Sequence, residues 1–497
     1  MTASADLFDW ERQNAFARLS GDANPLHVDP AAARRLLFGR AVVHGVHGVL
    51  RALDRWAAGG SGPVRLLRLR ASFAKPLFVG EEARWRPTED APGRSAGEWL
   101  WRDGVRHTIQ WTWAEDPRPR TAAMPSAAPP PRTPAPTPPA GAAQGEIPTP
   151  LEGEGAARLF PAAFKRFPPG QLAALLATTR LVGMECPGEH SIFSEIDLTD
   201  NDRTDPRLSY TARAAHPALK MILLDVHGPG LSGQLKTFVR PSAVDQLPYA
   251  EAIRRVRPGE FADRRALVVG GSRGAGEAAV KLLCAGGAET TATYFQGEAD
   301  ARRVRADVES GKGRVRFRAL DVVDPAALAS LAAESPAPTH LYFFATPSIA
   351  PARRDVFSPA LFHDYARVYV DAFAGLAQAL AARGTGFALF PSSVFVTETP
   401  PGFAEYAAAK AAGEIAARAL ERARPGFRVT SPRWPRVATD QTAAVVGAPA
   451  PDPVPLLLEA LRSEAVRPGP IGVPAGAPSA PPTDQRSTSI PPNEEPS

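Results

Sequence analysis

The sequence predicts two α+β units in succession, then an α/β domain built on a parallel, doubly wound sheet. Three observations carry that expectation. Residues 263 to about 446 alternate apolar strand-like runs with helical stretches across glycine-rich turns, the pattern of strands joined by crossover helices. Residues 1–116 place helix signals first and alternating strand-like runs afterwards, among them "VRLLRLRASFAKPL" and "GVRHTIQWTWAE". Residues 154–246 repeat that order, with an apolar helix "GQLAALLATTRLVGM" ahead of the strands "HSIFSEIDL", "RLSYTARAA" and "LSGQLKTFVRP".

Proline marks the boundaries. The chain has 497 residues, 53 of them proline, and the prolines cluster. Residues 117–153 begin with a Pro-rich run that excludes helix and central strand, so an extended, semi-rigid linker is expected there. Residues 467–497 read as a disordered tail, and a shorter linker over 247–262 precedes the third domain at 263–466. The apolar fraction of 44% and charged fraction of 22% are those of ordinary globular protein. A net charge of +5, with no Lys/Arg block, argues against a nucleic-acid partner. Cys186 and Cys284 stand far apart without a CxxC or histidine partner, so neither a disulfide nor a metal site is expected, and a reducing compartment is. The N-terminal "MTASADLFDWERQ" has no apolar signal core, and no apolar run is long enough to span a bilayer. A cytoplasmic protein without a membrane partner is the expectation.

The stretch "LSGDANPLHVDP" (19–30) sets Asp22, Asn24 and His27 in a segment too polar for a core. Asp29 followed by Pro30 is a helix start, which explains Asp29 but not the other three. The next helix, "AVVHGVHGVLRALDRW", carries Gly45 and Gly48 near its beginning. Small residues there leave N–H groups accessible to a carbonyl oxygen that gains negative charge. The three residues read either as a turn bonding its own backbone, with a packing histidine, or as an acid/base site. "SGDANPLHVDP" with "FGRAVVHGVHG", over most of residues 10–60, resembles the MaoC-like, (R)-specific enoyl thioester hydratase family of hot-dog folds. The resemblance implies that Asp22 and His27 hold and activate the water added to or removed from a 2-enoyl/3-hydroxyacyl thioester. It makes Asn24 a local organiser and the Gly45 N–H an oxyanion donor, while His44 and His47 read as packing residues. The second block has no such string. Its "LVGMECPGEHSIFSE" resembles the matching part of tandem hot-dog proteins, which implies a non-catalytic half covering the acyl tunnel, with His190 a loop or packing residue.

In the third block, "RRALVVGGSRGAGEAAVKLLCAGGAETTATYF" runs strand, glycine turn, helix, strand. Gly270, Gly274 and Gly276 there let backbone approach a pyrophosphate at a helix N-terminus. The stretch resembles the cofactor turn of short-chain dehydrogenase/reductases, with Val269 where threonine is usual; Ser272 lies within the turn. The second strand ends "TATYFQGEADARR", without the acidic residue that would hold a ribose 2′-hydroxyl, and Arg273 is placed to meet a 2′-phosphate. NADP(H) is therefore favoured over NAD(H). Asp321 in "RALDVVD" stands where the family contacts adenine, and Thr439 near another cofactor contact. In "LFPSSVFVTETPPGFAEYAAAKAAGE", Tyr406 and Lys410 form a YxxxK pair on one helical face, and Ser393 precedes Tyr406 by thirteen residues, with Ser392 the lesser candidate. The resemblance implies that Tyr406 protonates a carbonyl oxygen during hydride transfer, that Ser393 orients it, and that the Lys410 charge lowers the tyrosine pKa and binds ribose. The family's Asn-Ala-Gly is here "FFATPS", its helical Asn has no counterpart in "YARVYVDAFAGL", and the substrate-binding end is shortened.

The expected fold is an α+β double hot-dog followed by an α/β Rossmann domain. The two resemblances imply one substrate chain. A reductase makes 3-hydroxyacyl from 3-oxoacyl thioester and a dehydratase makes the 2-enoyl product, in either direction, on coenzyme A or an acyl carrier protein. Homodimerisation is a family-based expectation. Two other readings stay open: a hydratase/dehydratase with an inactive nucleotide-binding domain, and a non-catalytic acyl-carrier-binding scaffold.

Overall fold

The structure is a computed structural model and describes residues 4–101, 104–116, 129, 132–136, 143–216, 219–349, 356–442 and 450–463. The expected tail at 467–497 and most of the Pro-rich run lie outside the described residues. The first block forms strands β1 (Ser4–Leu7), β2 (Val64–Phe73), β3 (Glu82–Ala91), β4 (Arg94–Trp101) and β5 (Gly104–Glu115), with a helix at Gly45–Ala57. That helix buries Val46, Val49, Leu50, Leu53 and Ala57. Their spacing of three and four places them on one face, which packs into the hot-dog core. The second block repeats the plan with β6 (Ala143–Pro148), β7 (Ser191–Asp200), β8 (Arg207–His216), β9 (Met221–Gly228), β10 (Leu231–Val239) and the helix Pro169–Arg180. This second helix is buried continuously from Gln171 to Arg180.

The two halves share one sheet. β2 pairs antiparallel with β7, from Arg68 opposite Thr199 to Ser72 opposite Glu195. The ten strands then run β1-β3-β4-β5-β2-β7-β10-β9-β8-β6. A register shift between Leu66 and Arg68 leaves Leu67 on the outside while Leu66, Leu69 and Ala71 turn inward. At that irregularity Gln171 takes the part of a strand neighbour, accepting from Leu66 N and donating to Leu66 O, both at 2.9 Å. The second half's helix is thereby tied to the first half's central strand. On the outer face, Arg68 and Arg70 meet Asp197 of β7 at 2.8 and 3.1 Å. Exposed pairs of this kind contribute about 0–1 kcal/mol each and act mainly on register.

Two expected boundaries move. Residues 117–153 are not all linker, because β6 begins at Ala143 and pairs with β8. Ala143–Ile147 is free of proline, and Pro148 closes a strand at the sheet edge, where a missing N–H is tolerated. Residues 247–262 are not a linker either. Tyr249–Arg255 is a helix, and Tyr249, Ala252, Val256 and Phe261 are buried in the third domain's core.

That domain carries β11 (Arg265–Val269), β12 (Glu289–Tyr294), β13 (Val315–Ala319), β14 (His340–Phe343), β15 (Phe387–Leu389), β16 (Ser392–Ser393), β17 (Arg428–Thr430) and β18 (Arg433–Trp434). Six of them form a parallel sheet in the order β13-β12-β11-β14-β15-β17. Chain order reverses between β11 and β14, which opens a crevice beyond their carboxyl ends. Among the described residues, no helix is long and apolar enough to cross a membrane. Cys186 and Cys284 are buried free thiols, each pushed up to about 11 by burial.

Candidate active sites

Within the polar string at 19–30, Asp22 and Asn24 are buried where the two hot-dog halves meet. The helix Trp10–Ser20 stops at Gly21, whose left-handed φ of 74° turns the chain inward. Asn24 then caps the short helix Pro25–Val28, its Oδ1 accepting from Leu26 N at 3.0 Å. Its Nδ2 donates across to the carbonyls of Gly183 and Glu189, each at 3.0 Å. Asn24 thus organises the turn and fastens it to the second half.

Asp22 is 1% exposed, and Thr179 Oγ1 donates to its Oδ2 at 2.7 Å. Burial raises its pKa against the lowering influence of His27 and of that bond. His27 Nδ1 sits 2.7 Å from the Val42 carbonyl. A carbonyl only accepts, so Nδ1 carries the proton and Nε2 is left with its lone pair. Burial lowers the His27 pKa and keeps the ring neutral. One polar atom each of Asp22, His27 and His44 lies within 4.8 Å of the others. His44 stacks on His27 with centroids 3.9 Å apart. Its Nε2 donates to the Asp22 carbonyl at 3.0 Å and its Nδ1 accepts from Gln13 at 2.9 Å, so both nitrogens are committed and the cluster is poorly disposed to hold a metal. His47 is buried, bonds Gln13 and is lowered to about 3.

A cavity of about 310 Å³ lies over this pair, lined by Asp22, His27, Gly45 and Phe73 from the first half and Thr179, Gly183 and Phe193 from the second. Gly45 opens its helix, where first-turn N–H groups have no helical acceptor. A Cβ there would stand 2.7 Å from the Phe73 ring. A Cβ on Gly183 would meet Asp22 Oδ1 at 2.3 Å. The second half therefore contributes Thr179 and Gly183, which the sequence reading missed. Its one signal was the polar pair in "LLATTRLVGM", two threonines in a helix with no exposed face. His190, by contrast, lies outside this pocket lining.

In the third domain the glycine turn lines a cavity of about 390 Å³ with Ser272, Arg273, Asp321 and Thr439. Gly270 and Gly274 have left-handed φ values of 84° and 58°, and a Cβ on Gly276 would stand 2.1 Å from the Gly270 carbonyl oxygen. Asp321 Oδ1 accepts from Val323 N at 3.0 Å. A guanidinium nitrogen of Arg34, Nη1, is buried at this cavity without a hydrogen-bond partner among the described residues. A left-handed glycine cradle at a helix N-terminus with an unsatisfied cationic donor fits a phosphorylated dinucleotide.

Ser393, Tyr406 and Lys410 lie deeper. Ser393 hydrogen-bonds Tyr406, whereas Ser392 is turned to Glu414 at 2.5 Å. Burial pushes the Tyr406 phenol up to about 12 despite that bond. Lys410 departs from its implied part. Its Nζ donates to the Pro391 carbonyl at 2.7 Å and lies 3.9 Å from the Tyr369 ring centroid, and burial brings it down to about 7. The ring belongs to the π-turn Arg367–Ala372, so a ring face and a carbonyl hold the Lys410 head group. None of the three lines the nucleotide cavity, whose inner wall includes Thr346, Pro347 and Val368.

The architecture defines a hot-dog unit joined to a Rossmann unit, and family comparison agrees. A family model described as a MaoC like domain matches residues 9–91, and one described as a KR domain matches residues 265–439. The chain is a fusion of a MaoC-like domain with a KR-type short-chain dehydrogenase/reductase domain. It is 35% identical over 96 residues to 3-hydroxyacyl-thioester dehydratase Y of Mycobacterium tuberculosis, covering 19% of this chain and 33% of that protein. It is 44% identical over 72 residues to the (R)-specific enoyl-CoA hydratase of Aeromonas caviae, covering 14% and 52%. The chain thus spans about a third and about half the length of these two relatives. Among solved structures, a short chain dehydrogenase from Burkholderia cenocepacia in complex with NADP aligns at 26% identity and a TM-score of 0.36, over 40% of this chain and 90% of that one.

Proposed function

We propose that the chain is a bifunctional acyl-thioester enzyme, a (3R)-hydroxyacyl-thioester dehydratase/2-enoyl hydratase joined to an NADPH-dependent 3-oxoacyl-thioester reductase. The observation that carries the first activity is the meeting of Asp22 and His27 in a buried pocket whose wall includes the N-terminus of the Gly45 helix. In hydration, a water held between the Asp22 carboxylate and His27 Nε2 loses a proton to Asp22 as its oxygen bonds C3 of the enoyl group. Asp22 then returns that proton to C2, so one water is added overall, and dehydration runs the same steps backwards. A raised carboxyl pKa makes the Asp22 carboxylate a stronger base toward the water, and a neutral His27 keeps its lone pair on the water. The thioester oxygen, which gains charge in between, faces the Gly45 N–H. The test is hydration of a short trans-2-enoyl-CoA, repeated with an acyl-carrier-protein thioester. Asp22→Asn should abolish it, and an unchanged rate would reject the assignment.

For the reductase half, Gly270, Ser272, Arg273, Gly274, Gly276, Asp321 and Thr439 would hold NADP(H), which supplies a hydride when bound. Tyr406 would then give its proton to the substrate carbonyl, with Ser393 orienting that oxygen. A second reading, nucleotide binding without reduction, is favoured by the depth of Tyr406 and the turned-away Lys410. NADPH oxidation with a 3-oxoacyl thioester, lost in Tyr406→Phe, supports reduction. Binding without turnover supports the second reading.

A further inference from the structure

We infer that the nucleotide site is shared between the domains, with Arg34 of the hot-dog half completing, beside Arg273, the clamp for a 2′-phosphate. The inference rests on the proposed NADP(H) reading and adds a residue from outside the dinucleotide-binding fold. Its basis is where Arg34 lies. β12 ends at Tyr294, and the next turn, Phe295–Gly297, occupies the place about twenty residues beyond the glycine turn where the ribose 2′ position is read. That turn has no acidic side chain. Gly297 instead leaves room for a visiting guanidinium, since a Cβ built on it would stand 3.0 Å from Arg34 Nη1 and 3.1 Å from Nη2.

The approach is reciprocal. Arg273 Nη1 donates to the Arg34 backbone carbonyl at 2.7 Å, so the glycine turn holds the segment that reaches back to it. Both arginines line the same cavity. The neighbouring acids centre on Arg35, with Asp245, Asp300 and Asp440 at 2.5, 3.9 and 3.9 Å from it. Asp300 also acts on Arg34 and Arg273, and Asp440 on Arg273. Asp440 also contributes to the cavity wall, and Asp300 lies beside Gly297. Burial lowers the Arg34 pKa, the Arg273 guanidinium adds to that and Asp300 opposes it; an anion between the two arginines relieves their like-charge repulsion.

The test is direct binding to the full-length chain, with NADPH and NADH titrated against nucleotide fluorescence and 2′,5′-ADP against 5′-AMP by calorimetry. Arg34→Ala should weaken NADPH and 2′,5′-ADP roughly tenfold or more, the scale of one charge-assisted bond to phosphate, and leave NADH and 5′-AMP unchanged. Unchanged NADH binding also shows that the variant is folded. Arg34→Lys should recover only part of the preference, because an ammonium lacks the fork. Equal losses for both nucleotides, or no loss for NADPH, would overturn the shared clamp while the cofactor reading stands. A wild-type chain that binds neither nucleotide, or prefers NADH, would reject the cofactor reading and the shared clamp with it.

Discussion

Thr179→Val asks whether the second hot-dog half takes part in the chemistry. The substitution keeps the branched shape and removes one atom's function, the Oγ1–H that donates to Asp22 Oδ2 at 2.7 Å. Hydrogen bonds to charged groups contribute about 1.5–3 kcal/mol, and about 1.36 kcal/mol corresponds to one pKa unit. Thr179 stabilises the charged form of Asp22, so its loss moves the carboxyl further up. Hydration needs the carboxylate, and activity therefore rises with pH through the Asp22 titration. In the variant the acidic limb of kcat/KM should move up by about one to two pH units, while the plateau above it changes little.

The assay is enoyl-CoA hydration from roughly pH 5 to pH 9, with Thr179→Ser as the control that restores the hydroxyl. A uniform drop at every pH would mean that Thr179 only supports the fold. An unmoved limb would mean that Asp22 is not the titrating base. Either result would refute the reasoning, and only a displaced limb rescued by serine sustains it.

Two further outcomes follow from the same geometry. Gly276→Ala puts a methyl 2.1 Å from the Gly270 carbonyl oxygen, which is backbone and cannot yield. Loss of NADPH binding and a destabilisation of about 1–3 kcal/mol in thermal unfolding are expected, and wild-type binding would contradict the tight turn. Stability should also fall in acid. His47 and His107 are lowered to about 3 by burial, so they stay neutral in the fold while the unfolded chain protonates them below their ordinary 6.5. Their contribution is complete above pH 6.5 and lost as pH falls from there toward 3, by about 1.36 kcal/mol per unit for each group. Urea midpoints that stay level between neutral and mildly acid pH would contradict it.

Much of this molecule was legible because its signals are local. The glycine turn, the YxxxK pair and the Asp22–His27 string each fit within a few turns of chain, and their residue types state their chemistry. What escaped depended on contacts distant in sequence. Thr179 is 157 positions from Asp22 and belongs to a helix whose composition reads as plain core. The joint sheet escaped too, because β2 and β7 are each ordinary alternating strands and nothing in either names the other as partner. His44 looked like packing and is packing, yet it packs on His27 and holds the Asp22 carbonyl. β6 was hidden by the proline-rich run before it, although its own six residues carry a single proline at the end.

The segment between His27 and Gly45 gives the fusion a physical meaning beyond proximity. Leu37 and Phe38 line the hydratase cavity, while Arg34, three residues earlier, lines the nucleotide cavity. The short helix Pro30–Arg34 that carries the arginine is held from one side by its Asp29 cap and from the other by Arg273. A ligand that draws Arg34 toward a 2′-phosphate therefore pulls on the chain that roofs the acyl site. If the two sites are energetically coupled in this way, reciprocity requires an acyl thioester to change NADPH affinity by the same factor that NADPH changes thioester affinity. Titrating NADPH with and without a saturating, non-reacting acyl-CoA measures that factor in wild type. In Arg34→Ala the factor should fall to one. A factor of one already in wild type would leave the two cavities as neighbours without coupling.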